Sequence, residues 1–170
     1  RPRRQVAKAA KTPPAKAGTT NTGFVLDGYG GLPSFGAALM ENSGASAHYW
    51  SGWDIARDFA FLPDGAGGFV LDGYGGLHPF RVNGNTAPLV AQTTVYWGGW
   101  DIARKVVIFA DGKGGYVMDG WGGLHPFGIN GPPPAAAANV AGAYWPAWDI
   151  ARDLVLLPGN GGHSGYVLDG

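Results

Sequence analysis

The sequence contains no cysteine. That excludes a disulfide framework, a thiol nucleophile and any thiolate metal site. No run of 18 apolar residues occurs, so no helical membrane span is expected. Nucleophile-elbow, zinc-protease and phosphate-loop signatures are all missing, as is a GxGxxG opening a helix. The chain opens on Arg1 and shows no signal-peptide pattern, which reads as a mature or excised form.

Formal net charge is zero, yet the charge is unevenly placed. Arg1, Arg3, Arg4, Lys8, Lys11 and Lys16 lie in residues 1–20, and every acidic residue lies beyond them. Residues 1–20 are rich in Pro, Ala and Lys and lack apolar periodicity. They are expected to be a flexible arm or linker, either a solvated tether or a contact to an anionic surface.

What the chain has in excess is glycine, 31 residues, beside seven Trp, seven Tyr and eight Phe. The glycines recur at fixed places next to apolar runs, as turns do, and the aromatics supply material for a core. The order is that of a repeat. Val-(Leu/Met)-Asp-Gly occurs four times, with Asp27, Asp72, Asp119 and Asp169 spaced by 45, 47 and 50 residues. Trp-Asp-Ile-Ala-Arg begins at Trp53, Trp100 and Trp148, preceded each time by a Tyr-Trp pair. Gly-Gly-Leu-His-Pro-Phe occurs at 75–80 and 122–127, and is altered to Gly-Gly-Leu-Pro-Ser-Phe at 30–35. The sequence period divides as roughly 23–68, 69–115 and 116–165, followed by the start of a fourth copy or a closing strand.

Locally everything reads as β. Residues 105–109 are β-branched and aromatic, and 152–157 form a short apolar run ended by Pro-Gly. Asp64-Gly65 and Asp111-Gly112 sit where a hairpin needs positive φ. The strand Gly-(Tyr/Phe)-Val-(Leu/Met)-Asp follows, then a Gly-Gly turn and a Leu-His-Pro-Phe strand whose Pro suits an edge. The Tyr-Trp segment is expected as a fourth strand. The runs 59–62, 106–109 and 154–157 are apolar at every position, which predicts burial on both faces. Four strands in about 47 residues predict an all-β chain of antiparallel β-propeller blades. A β-trefoil is the alternative.

These strings resemble the blade grammar of NHL, YVTN and tachylectin-2-type propellers, and the tandem repeats of exported actinobacterial proteins, over residues 23–170. The resemblance implies an extracellular or cell-surface binding or scaffold role. Because closure needs at least four blades, it also raises a homo-oligomer completing the propeller.

Site candidates follow from the invariant positions. Asp27, Asp72, Asp119 and Asp169 each precede a Gly turn, whose N–H groups a carboxylate there accepts. Arg57, Arg104 and Arg152 lie three residues after an Asp, on opposite faces of an extended strand, and are expected to bridge to those turn carboxylates instead. The ligand candidates are Tyr29, Tyr74 and Trp121 at the turns, Trp50, Trp97 and Trp145 with their Tyr and Trp neighbours, and His78 and His125. Trp rings stack on sugar faces, although aromatics at invariant positions also serve inter-blade packing. No catalytic residue, metal ligand or cofactor is expected, because repeated near-copies do not make one asymmetric constellation. The sequence therefore predicts a non-catalytic binding module for glycan or wall polymer, or else a scaffold contacting another surface protein.

Overall fold

A computed structural model of the chain describes residues 23–35, 48–82, 87–138, 140–159 and 163–170. The expected arm at 1–20 lies outside the described residues. Among the described residues, eleven strands and one short 3₁₀ turn make the regular structure, which is all-β. In order they are β1 (Gly23–Phe24), β2 (Ser34–Phe35), β3 (Ala56–Phe61), β4 (Gly67–Asp72), β5 (Leu77–Arg81), β6 (Ala91–Thr93), β7 (Ala103–Ile108), β8 (Gly114–Asp119), β9 (Leu124–Ile129), β10 (Ala151–Leu156) and β11 (Gly165–Asp169).

Four antiparallel sheets result: β1-β2, β3-β4-β5, β6-β9-β8-β7 and β10-β11. None closes on itself as a barrel, which a trefoil requires. The hairpins β3-β4 and β7-β8 turn where the Asp-Gly pairs stand. Gly65 and Gly112 hold φ of 69° and 68°, and each donates its N–H back across the turn, to Leu62 and Phe109.

Phasing differs from the sequence period. The boundaries at 68/69 and 115/116 fall inside β4 and β8, whereas β3, β7 and β10, each beginning within a Trp-Asp-Ile-Ala-Arg copy, share a sheet with the strands that follow them: β4 and β5, β8 and β9, and β11. The Tyr-Trp segment is not the fourth strand. It makes a tight turn, with Trp53, Trp100 and Trp148 donating N–H to Trp50, Trp97 and Trp145. Among the described residues the fourth strand is β6, from the variable segment, seen in one sheet. Pro79 does lie on an edge strand, whereas β9 with Pro126 lies between β6 and β8, its Pro beyond the last β6 pair.

The strands buried along their whole length are β4 and β8, not the apolar runs of β3, β7 and β10, which are buried at alternate or scattered positions. The reason is their place in the sheet. Both β4 and β8 have a strand on each side and a neighbouring sheet on each face. Core clusters join successive sheets: Leu71 of β4 meets Ala103 and Val106 of β7 with Phe127, and Met118 of β8 meets Ala151 and Leu154 of β10. The first strands β3, β7 and β10 run side by side across the seams.

Candidate functional site

Each seam is built on one acidic turn. Asp72 ends β4, and its Oδ1 accepts the N–H groups of Tyr74 (2.8 Å) and Gly76 (2.9 Å). Asp119 does the same for Trp121 and Gly123, and Asp27 for Tyr29 and Gly31. The other oxygen of Asp72 and Asp119 meets His78 Nε2 at 2.7 Å and His125 Nε2 at 2.8 Å. These histidines therefore brace the turn. The expected turn role holds for Asp27, Asp72 and Asp119; Asp169 ends β11 with no turn after it among the described residues.

The next repeat docks on that turn. The carbonyl of Gly73 accepts N–H from both Ile102 and Ala103, as Gly28 does from Ile55 and Ala56, and Gly120 from Ile150 and Ala151. A Cβ at Gly28, Gly73 or Gly120 would overlap the carboxylate of Asp54, Asp101 or Asp149, so only glycine permits the approach.

The arginines do not reach the turn carboxylates. Each hairpin carries a β-bulge at its Arg, the register slipping between Ala56 and Asp58, Ala103 and Lys105, and Ala151 and Asp153. A bulge re-aims its side chain. Arg57 thereby forks onto Asp101 of the next repeat and also touches Asp54 of its own at 3.2 Å; Arg104 does the same with Asp149 and Asp101. The residues three apart do pair, because Asp54 precedes the strand and is not part of an extended run. The result is a continuous ladder, Asp54–Arg57–Asp101–Arg104–Asp149–Arg152. Hydrogen bonds from Arg57 hold the Asp101 carboxyl below its ordinary value, and Arg104 does so for Asp149.

A second charged row crosses the same strands. Lys105 Nζ lies 3.4 Å from Asp58 and 3.2 Å from Asp153, the three residues being equivalent in the repeat. Burial pushes the Asp58 carboxyl up, although Val106 N–H and Lys105 oppose it. Burial alone would lower Lys105, but the two carboxylates outweigh it and hold it above its ordinary value.

The aromatics divide into two sets. Trp50, Trp97 and Trp145 are half-buried over the positive-φ glycines Gly30, Gly75 and Gly122, and Trp50 and Trp97 meet His78 and His125 edge-on at 4.8 and 4.9 Å. They pack turn against repeat. The second set joins half-buried turn rings, Tyr74 and Trp121, to exposed neighbours. Tyr74 stands between Trp53 at 5.7 Å and Tyr96 at 6.3 Å, all edge-to-face. Trp121 stands likewise between Trp100 at 5.2 Å and Tyr144 at 6.3 Å, and Tyr29 meets Tyr49 at 6.3 Å. The flanking Tyr49, Tyr96, Tyr144, Trp53, Trp100 and Trp148 are all solvent-exposed. Within each Tyr-Trp-x-x-Trp group the sequence offers a clue to this split, since the first and last residues flank a turn and the middle Trp opens it.

Among the described residues no three His, Asp or Glu side chains cluster as metal ligands would, and no helix is long and apolar enough to cross a membrane. The chain matches no family model, no curated protein and no solved structure.

Proposed function

We propose that the chain is a non-catalytic, exported binding module whose sheets are blades of a β-propeller, and that it recognises glycan or wall polymer at the seams between repeats. One observation carries this reading: an aromatic triad, a half-buried central ring flanked by two exposed ones, is built twice in the same geometry, Trp53/Tyr74/Tyr96 and Trp100/Trp121/Tyr144. Large apolar faces held at the surface cost solvation unless a partner covers them, and pyranose rings present flat C–H faces that suit them. The turn carboxylates and the ladder arginines nearby are already engaged in turns and ion pairs, which favours the rings as the contact surface. Repetition then multiplies weak sites into useful avidity. The blade reading draws support from the side-by-side arrangement of β3, β7 and β10 and from cores that lie between successive sheets.

A glycan array with the full chain tests this, followed by titration of a bound oligosaccharide. Saturation with comparable sites per seam, lost in Tyr74→Ala and Trp121→Ala, supports it. A folded sample that binds no glycan sends the same aromatic surface to the second reading, a protein-interaction scaffold.

A further inference from the structure

The Tyr-Trp-x-x-Trp turns at 49–53 and 96–100 each belong to two seams at once. Tyr96 faces Tyr74 at 6.3 Å, while Trp100, at the other end of the same turn, faces Trp121 at 5.2 Å. The turn before it repeats the arrangement, with Tyr49 on Tyr29 at 6.3 Å and Trp53 on Tyr74 at 5.7 Å. The two triads are therefore successive stretches of one row of rings, joined through residues 96–100.

The join is short. Trp100 donates its N–H to the Trp97 carbonyl at 2.9 Å, closing a turn whose end Cα atoms lie within about 7 Å. One further peptide step of about 3.8 Å reaches Tyr96. Trp97 in turn donates to the carbonyl of Tyr74 at 2.7 Å, so the turn is tied to the residue whose ring its own Tyr meets. Trp53 and Trp50 make the same two bonds one repeat earlier, to Trp50 and Tyr29.

The join is also bare. Trp97 turns inward over Gly75, and the two residues left between the rings are Gly98 and Gly99, both exposed. A Cβ at Gly99 would meet nothing within 4 Å, and the same is true at the equivalent Gly52. Nor does the row carry a net charge. Asp54 and Asp101, which directly follow Trp53 and Trp100, are both held by Arg57, and Asp101 also meets Arg104 at 3.3 Å. Acid and base alternate along this ladder in equal number, so a ligand lying beside it has no excess charge to neutralise.

We infer that the row from Tyr49 to Tyr144 is a single track for one extended, uncharged polysaccharide chain that crosses residues 96–100 and stacks on both triads. The inference rests on the glycan reading above and narrows it to a linear, neutral polymer several sugars long, in place of one sugar held at each seam. The glycine floor lets the chain pass from Tyr96 to Trp100 without leaving the surface. Once one triad is occupied, the next is filled from the same molecule at high effective concentration.

Calorimetric titration of the full chain tests this with size-graded oligomers of β-1,4-linked glucose, mannose and N-acetylglucosamine, from disaccharide to octasaccharide. In one series the octasaccharide should bind at least about tenfold more tightly than the disaccharide, with fewer molecules per chain. Its affinity should be the same at low salt and at about 1 M salt. A Cβ at Gly98 lies 3.3 Å from the Tyr96 ring, so Gly98→Gln raises a side chain on the join. It should weaken the octasaccharide at least about fivefold and leave the disaccharide unchanged, which also shows that the variant is folded. Equal affinity and stoichiometry for the two lengths would overturn the track while leaving glycan sites at the seams. Binding that collapses at high salt would overturn the neutral class. Absence of binding in every series would overturn the glycan reading itself, and the track with it.

Discussion

Arg57 in one repeat grips Asp101 in the next with both Nε and Nη2, the Nε to Oδ1 distance being 2.9 Å. The contact joins residues 44 apart and recurs between Arg104 and Asp149. A planar fork meets both carboxylate oxygens, which an ammonium cannot do. Arg57→Lys should therefore lower unfolding stability by about 1 kcal/mol, since the pair is partly exposed. Urea denaturation at low and high salt checks this, and the deficit should shrink at 1 M salt, where the Debye length falls to about 3 Å. An unchanged midpoint at low salt would mean that the ladder is decorative.

The same ladder sets an acid limit. Asp101 and Asp149 have folded-state pKa values depressed below the ordinary 3.8, chiefly by hydrogen bonds from Arg57 and Arg104. A depressed carboxylate contributes stability that is present above its unfolded pKa and lost as pH falls through the folded one. Asp58 is shifted the other way by burial, so its contribution is present below 3.8 and fades as pH rises through its raised value. Stability measured below about pH 4 should thus fall less steeply in Asp101→Asn than in the parent chain, while Asp58→Asn should leave that acid limb in place.

Much of the architecture was legible because the repeat is exact where geometry is strict. Asp-Gly marked the hairpins, and Asp before a Gly turn marked Asp27, Asp72 and Asp119 as turn acceptors. The Arg contacts were not legible. A bulge leaves no residue signature in Ala-Arg-Asp or Ala-Arg-Lys, and without it Arg57 projects onto a different neighbour. Burial was misassigned for a related reason: an apolar run reports composition, whereas the burial of β4 and β8 comes from having strands on both edges. The split among the aromatics depended on the tight turn between Trp50 and Trp53, which a reading as strand concealed.

Gly73 tests how close the seam is. Its carbonyl takes two N–H donors from the next repeat, and the Asp101 carboxylate lies where a Cβ would project. Gly73→Ala should cost at least about 2 kcal/mol, because the displaced Asp101 loses its fork to Arg57 as the seam opens. In the Gly73→Ala background, Arg57→Lys should add almost nothing, a coupling that a double-mutant cycle in urea would read.

Ala147 is a built-in weakness. It holds φ of 63° at the turn position occupied by Gly52 and Gly99, whose φ values are 76° and 81°. A Cβ in the left-handed region costs roughly 1–2 kcal/mol, while Pro146 before it suits the turn. Ala147→Gly should raise stability by up to about 1 kcal/mol, the gain being reduced by the extra freedom of the unfolded chain. Thermal unfolding reads the sign, and a lowered midpoint would show that the turn tolerates the strain for another reason.

The two aromatic sets should separate cleanly under substitution. Trp97 covers Gly75 and meets His125, so Trp97→Ala removes a packed ring and should cost about 3 kcal/mol. Tyr96, its neighbour in sequence, is exposed and touches Tyr74 only edge-on, so Tyr96→Ala should change stability by no more than about 0.5 kcal/mol. Binding should follow the opposite order: Tyr96→Ala and Tyr144→Ala each lose a seam's affinity while the protein stays folded. If Tyr96→Ala bound glycan as well as the parent chain does, the triads would not be the contact surface, and the sugar would have to be sought away from the seams.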